Sequence, residues 1–515
     1  MTEIRTGGYM TDNIIKVKCK NGNFIGKRKN DVCVFKGIPY AQSPVKDLRW
    51  KAPIEPLDSD DTYEAFEYGD SAVQYEWFSE LASYNKKSED CLTLNIWTSS
   101  TDVSAKKPVM VWIHGGAYML GGSSDGMYDG QNFAEAHKDI VFVTINYRLG
   151  MMGFIDFSKV EGGEEFPDSQ NLGLLDVIQA LKWIKDNIKN FGGDSENITI
   201  LGESAGSVTV GALLIMEEAR GLFHKGIQQS GPVIKGITLG TREKSQKFAA
   251  KVMELSGCKN MKELMALSTE ELQNLETEYQ ISDYGCGAIV DDIHVPSVGE
   301  DALAQSWGSE VDLIIGTNAD EQVYSVNECG GIDKFKDYTL ERFSHAMTII
   351  ADEFKPNVEK FFNLHYGKEE IWKLIALVTE YNYRMPSIIE ADLREKHKGK
   401  TYMYYWNIPS NSADYYYKAC HAVELAYVFN NLDNTIFCGE GAKQLNADRV
   451  QEAWVNFAKT GNPSIDGAEW PEYKPDTRIT MVIDEQWHTE RDLLKRHTDL
   501  IMPIYQKYRG SFSFK

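Results

Sequence analysis

Short apolar runs alternate along this chain with segments whose apolar residues recur at helical spacing. Six runs have the length and composition of buried strands, and they cover residues 108–114, 140–147, 198–202, 225–230, 311–317 and 401–406. In one long intervening segment, Leu174, Ile178, Leu181, Ile184 and Ile188 share one face of a helix. This alternation predicts an α/β fold with a mostly parallel central sheet and helices on both faces.

Two regions depart from this alternation. Residues of about 14–60 carry hairpin signals, such as Asn21-Gly22, and predict antiparallel strands at one edge of the sheet. The stretch from about 331 to 400 is helical in pattern and predicts an insertion over the sheet's C-terminal edge, covering the active site. Since no linker or repeat separates these parts, we predict a single domain over residues 1–515.

The charge balance excludes two classes of partner. The sequence has 54 Lys and Arg against 76 Asp and Glu, so its net charge is −22. Such a field repels nucleic acid and anionic lipid. No apolar run reaches the eighteen residues typical of a membrane helix, and the first residues lack a signal-peptide pattern. We expect a cytoplasmic protein, monomeric or weakly homo-oligomeric, that binds neither nucleic acid nor membrane.

The eight cysteines are scattered and show no CxxC spacing. Zinc sites and thiol redox motifs are therefore not indicated. In a cytosolic protein the thiols stay reduced, so we expect no disulfide. The candidate chemistry uses protein groups alone, and we expect neither a metal nor an organic cofactor.

The sequence "ITILGESAGS" at 198–207 passes from a strand pattern to a helix pattern around Ser204. A serine between two glycines at such a junction is typical of a nucleophile displayed on a sharp turn. The following helix would direct backbone N–H groups and a positive dipole end towards a developing oxyanion. A tight turn with a small polar residue is the alternative interpretation.

A serine nucleophile needs a base and an acid. In this type of fold they follow the serine on later loops, the acid first and the histidine second. Position favours His421 as the base, with His294 as its competitor. The run at 311–317 leads into Asp320 and Glu321, and spacing does not separate these two carboxylates.

The segment "WIHGGAYMLGG", starting at residue 112, follows another predicted strand. Its small residues would let backbone amides approach a bound carbonyl oxygen, which is the usual loop contribution to an oxyanion hole. A glycine-rich turn without a ligand is the alternative. His114 is expected to be a structural hydrogen-bonding residue of this loop.

Together these segments resemble the type-B carboxylesterases, α/β-hydrolases that include cholinesterases and bacterial p-nitrobenzyl esterases. Further matching segments, in family order, are "FKGIPYAQSPVKDLRWKAP", "SEDCLTLNIW", "INYRLGMMGF", "NLGLLDVIQALKWIKDNIKNFGGDSEN", "LFHKGIQQSG", "IIGTNADE", "HAVELAYVF" and "FAKTGNPSIDGAEWPEY". The resemblance covers residues of about 14 to 485 and implies an α/β-hydrolase fold.

The resemblance also implies residue roles. These are Ser204 as nucleophile, His421 as base and Glu321 as the acid that orients it. The implied oxyanion-hole donors are the backbone N–H groups of Gly116, Ala117 and Ala205. Two positions depart from the family pattern, because Gln322 and Ala422 stand where glycine is usual.

The resemblance bears on substrate and compartment too. The partners that Cys91 and Cys258 have in secreted relatives are absent, which supports a reduced intracellular protein. Leu81 lies near the place of the cholinesterases' choline-binding tryptophan, and Trp77 is close by in sequence, so a choline ester is not favoured. Tyr118, Trp77 and the run Tyr415, Tyr416 and Tyr417 suggest an aromatic rim of the substrate pocket; the alternative is that these tyrosines only pack a loop.

We therefore expect a serine hydrolase acting on a small-molecule substrate, a neutral short-chain or aromatic carboxylic ester. The same catalytic groups could serve a hydroxycinnamoyl esterase, amidase, thioesterase or lipase. A non-catalytic binding domain of the cholinesterase type is a further alternative, which the intact Ser204, Glu321 and His421 oppose.

Overall fold

The computed structural model describes residues 13–74, 86–233, 239–278, 287–296, 306–328, 331–365, 367–412, 417–433 and 438–509. Its strands are β1 (Ile14–Cys19), β2 (Gly22–Lys29), β3 (Val32–Pro39), β4 (Thr62–Glu64), β5 (Ser71–Ala72), β6 (Lys87–Ser88), β7 (Thr93–Thr98), β8 (Lys107–Ile113), β9 (Val141–Ile145), β10 (Gly193–Glu203), β11 (Lys225–Gln229), β12 (Gly240–Thr241), β13 (Ile289–Val290), β14 (Asp312–Asn318), β15 (Thr401–Trp406), β16 (Thr480–Ile483) and β17 (His488–Glu490).

Thirteen of these strands form one sheet, in the order β1-β2-β3-β7-β9-β8-β10-β11-β14-β15-β16-β17, with β4 paired to β2. The pairs from β9 to β16 are all parallel. The pairs joining β1, β2, β3, β7 and β9 in turn are antiparallel, as is β16 with β17. The six predicted strands are β8, β9, β10, β11, β14 and β15, so the predicted α/β fold with a mostly parallel sheet is confirmed.

The central strands β8 and β9 are almost entirely apolar because both faces of the sheet are covered. In β8, Val109 and Val111 belong to one hydrophobic core, and Met110 and Trp112 belong to another. Successive side chains of a strand point to opposite faces, so the two cores lie on opposite sides of the sheet.

The helices are α1 (Gln131–Ala136), α2 (Gly150–Gly153), α3 (Leu172–Asn187), α4 (Ala205–Leu213), α5 (Arg242–Ser256), α6 (Met261–Met265), α7 (Thr269–Glu278), α8 (Tyr324–Glu328), α9 (Ile332–Ile349), α10 (Lys355–Leu364), α11 (Glu370–Thr379), α12 (Met385–Leu393), α13 (Leu425–Val428), α14 (Gln444–Thr460) and α15 (Lys495–Tyr508). A π-helix, Glu380–Arg384, joins α11 to α12. The predicted apolar face of α3 is buried. No helix in the described residues is both long enough and apolar enough to cross a membrane.

Candidate active site

Ser204 stands at the junction of β10 and α4, between a strand in the middle of the sheet and the helix that follows it. Its backbone has φ 54° and ψ −121°, values that residues with a side chain adopt at a cost. Its N–H donates to the carbonyl oxygen of Gln229 on the neighbouring strand, at 2.9 Å. The side chain is therefore held on a sharp turn at the carboxyl edge of the parallel strands, where α/β folds place their sites.

The two glycines of the turn are required by close packing. A methyl group on Gly206 would overlap the carbonyl oxygen of Ile113, at the end of β8. A methyl group on Gly202 would lie 2.5 Å from the backbone of Gly206 itself. Only residues without a side chain let α4 return this closely over the sheet.

His421 lies on the loop after β15, and its Nδ1 is 2.7 Å from Oε2 of Glu321. Glu321 follows β14, and its other carboxylate oxygen accepts the backbone N–H of Asn318 at 2.7 Å. The backbone N–H of His421 donates to the carbonyl oxygen of Glu321 at 3.2 Å. These contacts bring the carboxylate of Glu321 to His421, and no hydrogen bond or ion pair of the described residues joins the carboxylate of Asp320 to His421.

The two departures from the family pattern are accommodated differently. Ala422 has φ 67°, the left-handed region that favours glycine, so the alanine is tolerated there at some conformational cost. Gln322 lies in a 3₁₀ turn, and its backbone N–H donates to Oγ1 of Thr379 at 3.2 Å. The added side chain therefore leaves the carboxylate of Glu321 in contact with His421.

The loop after β8 carries the predicted backbone donors. Gly116 and Ala117 both have positive φ, at 104° and 56°, which turns the chain sharply beside Ser204. Ala205 is the first residue of α4, and its N–H has no acceptor within the helix. Among the loop and cap hydrogen bonds of the described residues, none uses the N–H of Gly116, Ala117 or Ala205.

His114 begins this loop as a buried structural residue. Its Nδ1 lies 2.8 Å from the carbonyl oxygen of Gly115, and its ring stacks on Tyr147 with the centroids 4.4 Å apart. Burial lowers the pKa of His114 to about 4, so the imidazole is neutral at physiological pH.

Glu203, the residue before Ser204, also lies against His421. Its Oε1 is 3.0 Å from Nε2 of His421, and both side chains are buried. A methyl group on Gly115 would lie 2.7 Å from Oε2 of Glu203, so this carboxylate fills the space between the imidazole and the loop after β8. Within the described residues Ser204 Oγ makes no hydrogen bond, and Nε2 of His421 faces Glu203.

Glu424 is a third buried carboxylate of this region. Its two oxygens accept from Nδ2 of Asn318 at 2.6 Å and from Nε2 of Gln229 at 3.0 Å. Burial raises the pKa of Glu424 to about 7, with the nearby charge of Glu203 acting in the same direction. This carboxyl can therefore hold a proton near neutral pH.

Burial alone would lower the pKa of His421. The carboxylates of Glu203 and Glu321 overcome that effect and raise this pKa well above its ordinary value. A histidine that lies between two carboxylates is most stable in its protonated, imidazolium form. The arrangement can therefore stabilise the positive charge that a histidine acquires when it removes a proton from a nucleophile.

Two aromatic rings enclose the imidazole. The ring of Tyr324, at the start of α8, has its centroid 5.8 Å from that of His421. The ring of Tyr383, in the π-helix, has its centroid 5.2 Å away on a tilted plane. π-Helical turns are rare and occur frequently at functional sites.

Of the other candidate residues, the structure describes His294, Tyr118 and Tyr417. Both ring nitrogens of His294 contact carboxylates, Nδ1 with Glu218 at 2.8 Å and Nε2 with Asp168 at 3.0 Å. Tyr118 is buried, with its hydroxyl 3.0 Å from Oγ1 of Thr209 and its ring against Phe154. Tyr417 packs partly buried against the core. Trp77, Leu81, Tyr415 and Tyr416 lie outside the described residues.

Sequence reasoning passed over four residues of this cluster: Glu203, Glu424, Tyr324 and Tyr383. Glu203 stands inside the segment "GESAG", and Glu424 lies three residues after His421. Both were therefore within the motifs, although nothing in the sequence says that their side chains turn inwards. Tyr383 gave no signal, because a π-helix cannot be distinguished from an α-helix by its apolar spacing.

Comparison with known proteins identifies the family. The profile of the "Carboxylesterase family" matches residues 12–501. The para-nitrobenzyl esterase of Bacillus subtilis (strain 168) is 34% identical over 92% of this chain and 96% of its own length. Carboxylesterase 1D of Rattus norvegicus is 32% identical over 89% of this chain and 87% of its own length.

Solved structures agree with this assignment. A carboxylesterase of Geobacillus stearothermophilus superposes with a TM-score of 0.83 at 29% identity, over 94% of this chain and 99% of that one. A thermophilic para-nitrobenzyl esterase gives a TM-score of 0.79 at 31% identity over the same shares. These matches confirm the α/β-hydrolase fold, and the chain belongs to the carboxylesterase family as a serine carboxylic ester hydrolase.

Proposed function

We propose that the protein hydrolyses carboxylic esters in two steps, with Ser204, His421 and Glu321 as its catalytic triad. The observation that carries this proposal is the contact between Nδ1 of His421 and Glu321 at 2.7 Å, at the same sheet edge as the strained turn of Ser204. The carboxylate holds the imidazole in the tautomer whose Nε2 can accept a proton.

In the first step, Ser204 Oγ attacks the ester carbonyl and His421 Nε2 takes its proton. The tetrahedral oxyanion receives hydrogen bonds from the N–H groups of Gly116, Ala117 and Ala205. His421 then protonates the departing alcohol, which leaves an acyl group on Ser204. Water activated by the same histidine releases the acid and restores the serine.

The position of Glu203 adds a condition to these reaction steps. Nε2 of His421 must turn from Glu203 towards Ser204 before it can act as a base, and it must be unprotonated. Because the two carboxylates raise the pKa of His421, activity should rise with pH over the range in which this imidazole loses its proton.

For the substrate, we propose neutral esters with a short acyl chain or an aromatic group. The buried carboxylates of Glu203 and Glu321 disfavour an anionic substrate beside Ser204. The rings of Tyr324 and Tyr383 offer aromatic surface next to the reacting atoms. The name of the Bacillus relative, a para-nitrobenzyl esterase, points in the same direction.

A substrate panel tests this preference. The panel consists of p-nitrophenyl acetate and butyrate, a hydroxycinnamate methyl ester, butyrylthiocholine and triolein, all measured under one set of conditions. We expect the first three to give the higher kcat/KM values. A clear preference for butyrylthiocholine or triolein would contradict the proposed substrate class.

The proposed nucleophile is tested by replacing Ser204. We expect Ser204→Ala to lose about 10⁴-fold or more in kcat while remaining folded, because the triad acts as a unit. A neutral organophosphate should add covalently to Ser204 in the unmodified protein, detected as a mass shift of the peptide, and should leave Ser204→Ala unlabelled. The exposed Ser104→Ala serves as the matched control and should be labelled normally.

We further propose a cytoplasmic protein with reduced thiols that is a monomer or weak homo-oligomer. Cys19, Cys33, Cys91, Cys258, Cys420 and Cys438 are free thiols, and Cys286 and Cys329 lie outside the described residues. Thiol titration of unfolded protein without reductant should report eight free cysteines. Six or fewer would contradict the proposal.

A further inference from the structure

Glu390 is a fully buried acid that the proposed chemistry does not use. It lies on α12, and its Oε2 accepts the backbone N–H of Val233 at 2.8 Å. Arg394 stands one helical turn further along, yet its guanidinium donates elsewhere, to Oγ1 of Thr401 and to the carbonyl oxygens of Gly308 and Val311. Glu390 is therefore held by the main chain of Val233, and no salt bridge joins it to another of the described residues.

Val233 belongs to the segment after β11, and this segment supports the turn of the nucleophile. The hydroxyl of Ser207 donates to the carbonyl oxygen of Gly231 at 2.8 Å, and Nε2 of Gln228 reaches the carbonyl oxygens of both residues at 3.3 Å. A methyl group on Gly231 would overlap the carbonyl oxygen of Ser204. A shift of this segment would therefore move the backbone of Ser204.

The helical element that carries Glu390 also contacts the proposed base. α12 continues directly from the π-helix in which Tyr383 packs its ring against His421. The helical stretch Glu380–Leu393 thus contacts the imidazole through Tyr383. Seven residues later, through Glu390, it contacts the segment that supports Ser204. The distance between nucleophile and base depends on how firmly both ends of this stretch are held.

We propose that Glu390 is a positioning residue, which fixes the segment Gln228–Val233 and through it the backbone of Ser204 relative to His421. This inference rests on the proposed function of Ser204 as nucleophile. Glu390 does not contact the reacting atoms, and its effect passes through the main chain of Val233.

The surroundings of Glu390 favour its protonated form. Burial raises its pKa to about 7, while the N–H of Val233 and the charge of Arg394 lower it. Among the described residues, Tyr505 of α15 also faces it, and burial, Tyr381 and Glu390 all raise the pKa of Tyr505. Oε1 of Glu390 and Oε1 of Gln228 are buried acceptors without a hydrogen-bond donor in the described residues.

The kinetic test compares Glu390→Leu and Glu390→Gln with the unmodified protein. Leucine fills similar space but cannot accept the N–H of Val233, whereas glutamine can. At pH 6 we expect Glu390→Leu to lose about tenfold or more in kcat for p-nitrophenyl acetate with little change in KM, as misplacement by a fraction of an ångström does. Glu390→Gln should stay within about twofold of the unmodified protein, because it restores the hydrogen bond.

The matched control is Asp392→Asn, on the same helix. Asp392 bonds to Tyr473 and Arg478, away from the segment after β11. This variant should keep its kcat. A folded Glu390→Leu with normal kcat, or one in which only KM changes, would overturn the positioning role.

The rate at which an organophosphate labels Ser204 distinguishes a failure of the positioning role of Glu390 from a failure of the proposed function of Ser204. If the unmodified protein is not labelled at Ser204, the proposed function fails. If it is labelled, and Glu390→Leu is labelled at the same rate, only the role of Glu390 fails. Slower labelling of the Leu variant, with normal labelling of Asp392→Asn, supports it.

Should Glu390→Leu fail to fold, Glu390→Met takes its place in both measurements. Methionine is flexible and fits irregular buried sites, and it cannot accept the N–H of Val233. We expect the same loss of kcat and the same slower labelling of Ser204 as for the Leu variant. A folded Glu390→Met with normal kcat and normal labelling would refute the positioning role.

Discussion

His421 and His294 each contact two carboxylates, yet they differ in what else surrounds them. His421 is enclosed by Glu203, Glu321 and two tyrosine rings, at the end of parallel strands and beside Ser204. His294 links Glu218 to Asp168, and these acids are about a third exposed. The comparison teaches that a histidine paired with acids becomes a candidate base through its place in the sheet, since pairing alone also makes an ordinary ionic link.

Replacing the two histidines should differ most in its effect on activity. His421→Ala should lose about 10⁴-fold or more in kcat, because a triad histidine acts together with its serine, whereas His294→Ala should stay within about twofold. Steady-state hydrolysis of p-nitrophenyl acetate by both folded variants measures this. A larger loss at His294 would overturn the assignment of the base.

Replacing Glu321, the acid proposed to orient His421, should have the next largest effect on kcat. Glu321→Gln should lower kcat by about 10³- to 10⁴-fold, because the imidazole is then held in the wrong tautomer. Asp320→Asn is the matched neighbour and should change kcat by less than about threefold, since its carboxylate does not reach His421. If Asp320→Asn proves the more damaging change, Glu321 is not the orienting acid.

The acids beside the two histidines should differ in how they affect the pH dependence of activity. Removing its charge in Glu203→Gln should lower the pKa of His421 towards its ordinary value, because one of the two carboxylates that raise it is gone. The acidic limb of kcat/KM, which follows the unprotonated base of the free enzyme, should then move to lower pH. Glu218→Gln, the corresponding change beside His294, should leave the limb in place. An unmoved limb in Glu203→Gln would show that Glu203 does not raise the pKa of the base.

The smallest effect concerns stability at His294. Burial lowers its pKa, but Glu218 and Asp168 more than offset this and the net shift is upwards. A raised pKa means that the stabilisation is complete at low pH and is lost as pH rises through the folded value. His294→Gln should therefore cost about 0.5–1 kcal/mol of unfolding free energy near pH 5.5 and less near pH 8. A loss that grows with pH in urea denaturation would contradict this.

Much of the fold could be predicted because strands that are covered on both faces are mostly apolar. All six predicted runs became neighbouring strands in one parallel arrangement. Ser204 could be identified for a local reason, since its turn needs glycine on both sides. The choice between Asp320 and Glu321 could not be made from spacing, because it depends on which side chain the short turn after β14 directs inwards.

The inward carboxylates show a second limit of sequence reasoning. Glu203 and Glu424 look like ordinary polar residues in the chain, and the burial of Glu424 depends on amides from distant strands, those of Asn318 and Gln229. Pairings between residues that far apart leave no periodic signal. The same holds for Glu390, whose partner Val233 lies 157 residues away.

The parallel strand order has a consequence for folding kinetics. The contact between Glu321 and His421 joins positions 100 residues apart, and that between Gln229 and Trp454 joins positions 225 apart. Contacts of such long range form slowly, because each requires the closure of a large loop. Helices can form before the carboxyl ends of β10, β14 and β15 meet. During refolding from denaturant, recovery of ester hydrolysis should therefore lag behind recovery of the helical circular dichroism signal.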